Sequence, residues 1–189
     1  MPANVPLTES PFFKSELQNG KFSEEEKSLL TKYHDDGYLI ISPKIDEALL
    51  DQVIIELAPV FNKLNLTGEK RLTDAWKYSD AVRQLATNVE IQNILKLLYQ
   101  RTPIPFQTLN FPVGTQQKTH SDMIHFNSIP QRFMCGVWVA LEDIHADNGP
   151  LHYYPGSNKL PFYDMIDIGV KGSKNTNYKK RNDELCKGL

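Results

Sequence analysis

His120 and Asp122 stand one residue apart in the stretch THSDMIHF, positions 119–126, and their types and spacing suit metal ligation. Successive side chains of a strand point to opposite faces, so residues i and i+2 share one face. On a strand or at its end, an imidazole nitrogen and a carboxylate oxygen would therefore project together. Such a pair supplies two corners of the 2-His-1-carboxylate face that holds Fe(II) and leaves other positions open to substrate and dioxygen. Alone, the pair is a weak signal, because two residues flanking one free position recur by chance. The competing explanation is a surface histidine beside a turn aspartate.

The elements that must position this pair change character along the chain. Ser23 and Glu26 have the form of a capping box, in which each side chain satisfies a free backbone N–H at a helix start. Leu29, Leu30 and Tyr33 then share a helical face, and Gly37 ends the segment. YLII at 38–41 is a strand candidate. Leu49, Leu50, Val53, Ile54, Leu57 and Val60 recur at spacings of three and four, which predicts an amphipathic helix ending before Asn62. Two more helices are predicted over 74–86 and 89–98. From Pro103 the texture turns to aromatic and branched residues separated by Gly, Pro and Asn, and strands are predicted over 106–113, 132–143 and 149–155. A helical front followed by strands predicts an α+β domain whose second half is a β-sandwich or barrel. The last seventeen residues, 173–189, lack apolar periodicity and read as a polar tail.

Four blocks in this order resemble the phytanoyl-CoA dioxygenase family of Fe(II)- and 2-oxoglutarate-dependent oxygenases. They are FQTLNFPVGTQQ (106–117), the THSD pair, CGVWVALED (135–143) and DNGPLHYYPGSNK (147–159). The resemblance covers roughly 103–161 and, more loosely, the front. It implies a helical N-terminal part, residues 1–102, packed on a double-stranded β-helix of jelly-roll or cupin-like type whose core is 103–161, followed by a tail at 162–189. It also implies Fe(II) as the metal and 2-oxoglutarate as cosubstrate, with His120 and Asp122 as iron ligands. Trp138 would line the cosubstrate pocket, a role compatible with being an ordinary core aromatic. Gln107 and Asn110 lie on the strand leading to the metal and would face opposite sides of it, so only one should point inward unless a bulge intervenes; Gln107 is favoured. The halogenating relatives replace this aspartate with a small residue, so Asp122 favours hydroxylation.

The remaining histidines are weighed separately. His125, three residues past Asp122, would be turned away by strict alternation, but a turn could bring it to the pocket rim as a substrate neighbour. His145 lies among loop formers and is most simply a solvated turn residue. His152 alternates with Tyr153, and sheet packing explains it as well as a site does. His34 has no evident partner. Residues 155–157 form a turn in which Gly156 is available for a positive φ. The family usually continues with His and Lys, where this chain has Asn158 and Lys159; that departure falls on a turn position.

The resemblance also implies a third ligand, a later histidine, followed by an arginine whose planar fork matches the far carboxylate of 2-oxoglutarate. No histidine follows His152, and Arg181 is the only arginine after Arg132. Three explanations compete. The leading expectation is that the chain is a fragment lacking the closing strands. The others are that a partner chain donates those strands, or that the protein is a cupin-like member binding without turnover. Strand edges left unpaired would invite homo-oligomer formation. A zinc-dependent isomerase or hydrolase built on the same two ligands is a further reading.

Bulk properties bound the rest. The chain has 189 residues, enough for one domain. Its 40% hydrophobic and 10% aromatic content is that of a globular protein. With 21 basic and 23 acidic residues and a net charge of −2, nothing asks for nucleic acid or an anionic membrane, and a coenzyme A ester, whose phosphates want a basic patch, is not favoured. The expected partner is a small-molecule substrate. The first thirty residues lack the basic start and apolar run of a signal peptide, and no window is long enough to span a bilayer. Two cysteines, Cys135 and Cys186, are too few for a disulfide framework, so a cytoplasmic location is expected.

Overall fold

The structure is a computed structural model and describes residues 4–65, 71–114, 117–122 and 128–161. The front is helical, as predicted. A 3-10 turn at Leu7–Glu9 leads into α1 (Phe13–Asn19), α2 (Glu24–Asp36) and α3 (Glu47–Asn65). Then come β1 (Leu72–Thr73), a 3-10 turn at Ala75–Lys77, α4 (Asp80–Ala86), α5 (Val89–Tyr99) and β2 (Leu109–Asn110).

Local signals set most of these boundaries. The capping box at Ser23 is complete: the Glu26 N–H donates to Ser23 Oγ at 3.1 Å and the Ser23 N–H to Glu26 Oε2 at 2.8 Å. Gly37 closes α2 in the left-handed region at φ 82°. Ser79 breaks the predicted 74–86 helix in two, because its Oγ accepts from the Val82 N–H at 3.0 Å and so starts a new helix there. α3 runs on past its apolar periodicity to Asn65 and contains Pro59, whose missing N–H leaves the Ile55 carbonyl without its helical partner. α1 gave no cap signal, since Phe12 at its N-cap makes no side-chain hydrogen bond.

Two apolar clusters hold the front together. Val53 and Leu57 of α3, one turn apart, bury against Ala75, Ala81 and Val82, with Trp76, Leu72 and Leu141 packed around them. Leu7, Phe13, Leu30 and Leu98 form the second cluster, flanked by Tyr33, Ile94 and Tyr99. Each fully buried side chain of this kind contributes about 1.5–3 kcal/mol. No helix among the described residues is long and apolar enough to cross a membrane.

The second half departs from expectation. Of the strand predicted over 106–113, only Leu109–Asn110 is in a ladder, paired antiparallel with Leu72–Thr73 in the register Leu72↔Asn110 and Thr73↔Leu109. The segments at 38–41, 132–143 and 149–155 form no ladder. Strand-forming side chains make a strand only when a second backbone supplies the hydrogen bonds, and among the described residues no neighbouring segment supplies these with a backbone ladder. The apolar content shows the same thing. Among the described residues every buried hydrophobic core side chain precedes residue 100, whereas twelve of the eighteen exposed large hydrophobics lie between residues 104 and 160. The architecture is thus mixed α and β with a two-stranded sheet among the described residues, and the described part of the second half presents most of its large apolar side chains to solvent.

Candidate metal centre

His120 and Asp122 lie in the loop 117–122, not on a strand, yet their side chains meet: His120 Nε2 is 3.1 Å from Asp122 Oδ1. His120 Nδ1 is 2.6 Å from the Lys118 carbonyl oxygen. A carbonyl can only accept, so Nδ1 carries the proton of that bond, and in the neutral ring Nε2 is left with its lone pair. Metal-ligating histidines are commonly oriented by such a bond from the other ring nitrogen. The Nε2 lone pair then faces a carboxylate oxygen, an arrangement that a shared proton or cation makes favourable. Two donors each about 2.1 Å from one metal and at right angles to each other stand about 3.0 Å apart. The observed 3.1 Å matches that edge, so the donor chemistry fits two positions on a metal. His120 is 38% and Asp122 75% exposed at the side chain, so the face they form is open to solvent. Among the described residues no group of three His, Cys, Asp or Glu side chains is placed to hold a metal.

The other candidates fall at varied distances from expectation. Gln107 is exposed, while Asn110 is half-buried and its Oδ1 is buried without a hydrogen-bond partner. Asn110, not Gln107, is therefore the one turned inward, because the short ladder with Leu72 fixes its face. Trp138 is 53% exposed rather than part of a packed barrel wall, since no described segment covers it. His125 lies outside the described residues, as does the tail from 162. His145 is an exposed turn residue whose ring Nδ1 accepts from the Asp147 N–H at 3.3 Å. His152 is exposed and lines a shallow cleft of about 410 Å³ with Tyr38, Ile40, Leu151, Tyr153 and Tyr154.

His34 does have a partner: its Nδ1 donates to the Thr8 carbonyl at 2.6 Å, and its ring stacks on Phe13 at 4.1 Å. That contact joins residues 26 positions apart, which sequence spacing could not signal. A second unforeseen group is the cluster of Tyr33, Tyr99 and Cys135. The two hydroxyls are 3.0 Å apart, and Tyr33 Oη is 3.9 Å from Cys135 Sγ. Burial, foremost, pushes both tyrosines and the Cys135 thiol up from their ordinary pKa values, so all three stay neutral. Arg132, on the Cys135 side of the chain, pairs with Glu9, and Arg101 stacks on Phe133 at 3.8 Å. These contacts tie the helical front to the segment carrying Trp138.

Comparison with known proteins gives the chain a family. The profile of the phytanoyl-CoA dioxygenase (PhyH) family matches residues 58–184. The chain is similar to phytanoyl-CoA dioxygenase domain-containing protein 1 of Danio rerio, 25% identical over 144 residues that cover 72% of this chain and 48% of the relative. The protein of the same name from Mus musculus is 22% identical over 144 residues, with the same coverage. The chain spans about half the length of the curated relatives it matches. No solved structure matches it significantly. The family match takes in the His120–Asp122 pair and the segments carrying Asn110, Trp138 and Asn158, and the chain belongs to the phytanoyl-CoA dioxygenase family.

Proposed function

We propose that this chain carries the metal-binding part of a non-haem Fe(II)- and 2-oxoglutarate-dependent dioxygenase that hydroxylates a small organic molecule. The observation carrying the proposal is the 3.1 Å approach of His120 Nε2 to Asp122 Oδ1, with Nδ1 committed to the Lys118 carbonyl, in a chain of this family. His120 and Asp122 would hold Fe(II) through those two atoms. The third ligand and the arginine for the far carboxylate are not among the described residues. When bound, the iron supplies redox chemistry that couples decarboxylation of 2-oxoglutarate to oxidation of a substrate C–H bond by dioxygen. The chain's own contribution is orientation. The Lys118 carbonyl keeps the imidazole turned so that Nε2 faces the open position, and Asp122 supplies the negative charge that favours a divalent cation. Asn110 on the approach strand and Trp138 would contact the cosubstrate, and His125 the substrate. We assign the protein to the cytoplasm, with neither nucleic acid nor membrane as partner, and expect homo-oligomers through its uncovered apolar segments.

A second reading is a cupin-like binding protein without turnover. What favours it is that two donors, not three, come together among the described residues. Oxygen electrode and succinate assays separate the two. With Fe(II), ascorbate and 2-oxoglutarate, the first reading predicts 2-oxoglutarate decarboxylation by a chain extended to family length, abolished in Asp122→Ala. Metal binding with no succinate from that extended chain would favour the second reading.

A further inference from the structure

The last turn of α2 is gripped from two sides. The final carbonyls of a helix have no intrahelical donor, and here the donors come from one short stretch of the second half. Asn158 Nδ2 donates to the His34 carbonyl at 3.2 Å, the Gly156 N–H to the Asp36 carbonyl at 2.9 Å, and the Tyr153 hydroxyl to the Gly37 carbonyl at 3.2 Å. The Tyr153 ring also packs on Tyr38 at 4.9 Å. The approach is close: Gly37 has φ 82°, and a Cβ there would come within 2.7 Å of the Asn158 side chain. From the other side, Tyr33 in the same turn reaches Tyr99 and Cys135. Cys135 lies three residues before Trp138. One helical turn therefore holds two segments of the second half, 133–140 and 151–158. Those segments have no ladder of their own to fix their spacing.

We propose that the last turn of α2, with Asn158 and Tyr153 as its partners, is a positioning device that sets where the Trp138 segment stands relative to residues 151–158. Its meaning for catalysis rests on the oxygenase reading; the coupling itself does not. Asn158 and Tyr153 are positioning residues, acting through α2 and not by touching a reacting group. Chain density alone would not demand this. Three donors aimed at three carbonyls of one helix end, those of His34, Asp36 and Gly37, are a specific interlock, whereas the Lys159–Asp35 pair beside them, 3.2 Å apart and half-exposed on both sides, is of the kind that contributes little.

Hydrogen exchange read by mass spectrometry on the full 189-residue chain, without metal or cosubstrate, tests this directly. Asn158→Asp keeps the size but replaces the donor with a charge facing a carbonyl; Tyr153→Phe removes only a hydroxyl. Each is expected to speed exchange about five- to tenfold at 34–38, at 151–158 and at 133–138, as loss of one net hydrogen bond implies. α3 and α4 should be unchanged, and Lys159→Ala should match the parent chain. In a Trp76→Phe background, Trp138 is the remaining tryptophan, and its emission anisotropy should fall in both variants. Unchanged exchange at 133–138 would overturn the proposal, and so would acceleration spread equally over α3 and α4, which marks general loss of stability. No outcome here bears on metal binding, so failure of the coupling leaves the oxygenase reading standing, and the reverse also holds.

Discussion

Ser79→Ala removes one oxygen that does two jobs. Ser79 Oγ accepts from the buried Val82 N–H at 3.0 Å, capping α4, and donates to Glu56 Oε2 of α3 at 2.5 Å. Ser79 is only 2% exposed, so no water readily replaces it. Loss of the cap costs about 1–2 kcal/mol, toward the upper end because the orphaned N–H stays buried. In a chain of this size each kcal/mol lowers Tm by about 2–4 °C. The Glu56 share is read through pH. The hydrogen bond from Ser79, foremost, and that from Gln52 hold the Glu56 carboxyl below its ordinary range. A depressed folded pKa contributes stability above the unfolded value and loses it as pH falls through the folded one. The gap in Tm between parent and Ser79→Ala should therefore be widest near neutrality and shrink below about pH 4, with Ser79→Thr retaining most of both effects. Thermal unfolding followed by circular dichroism from neutral to acid pH measures this. An unchanged Tm in Ser79→Ala, or a gap of the same size at both ends of the pH range, would refute the reasoning.

Three further outcomes follow from the same structure. Leu57→Ala, in the buried cluster under α3, should cost about 2–5 kcal/mol in urea unfolding, while Ile55→Ala on the exposed face of the same helix should stay within about 0.5 kcal/mol. In a Cys186→Ser background, Cys135 should resist iodoacetamide in the native chain and react promptly in urea, because burial raises its thiol pKa and withholds the thiolate. Tyr33→Phe removes the hydroxyl shared with Tyr99 and should cost about 1–2 kcal/mol, while making Cys135 easier to alkylate.

What could be foreseen from the residues depended on how local its cause was. The Ser23 cap, the Gly37 stop and the α3 apolar face were legible because their partners sit within four residues. The His120–Asp122 pair was legible for the same reason, though its geometry comes from a loop held by the Lys118 carbonyl and not from strand alternation. Trp138 and the aromatic segments carry strong strand chemistry, but a ladder needs a second backbone, and only Leu109–Asn110 has one among the described residues. The choice between Gln107 and Asn110 was reversed because a register with Leu72, invisible in either residue, decided it. The partners of His34 and Tyr33 likewise lie far along the chain, and no spacing rule connects them. Asn158 stood out as a departure in a turn, but its grip on α2 joins residues 124 positions apart, which no local pattern signals.

The central claim is that His120 and Asp122 form two corners of a metal site. Titration of the 189-residue chain with Mn(II), a redox-stable stand-in for Fe(II), followed by electron paramagnetic resonance of the free ion, tests it most directly. Saturable binding of one Mn(II) per chain is expected, weakened at least about tenfold in both His120→Ala and Asp122→Ala and unaffected in His145→Ala and His152→Ala. No saturable binding, or binding that survives loss of both His120 and Asp122, would contradict it.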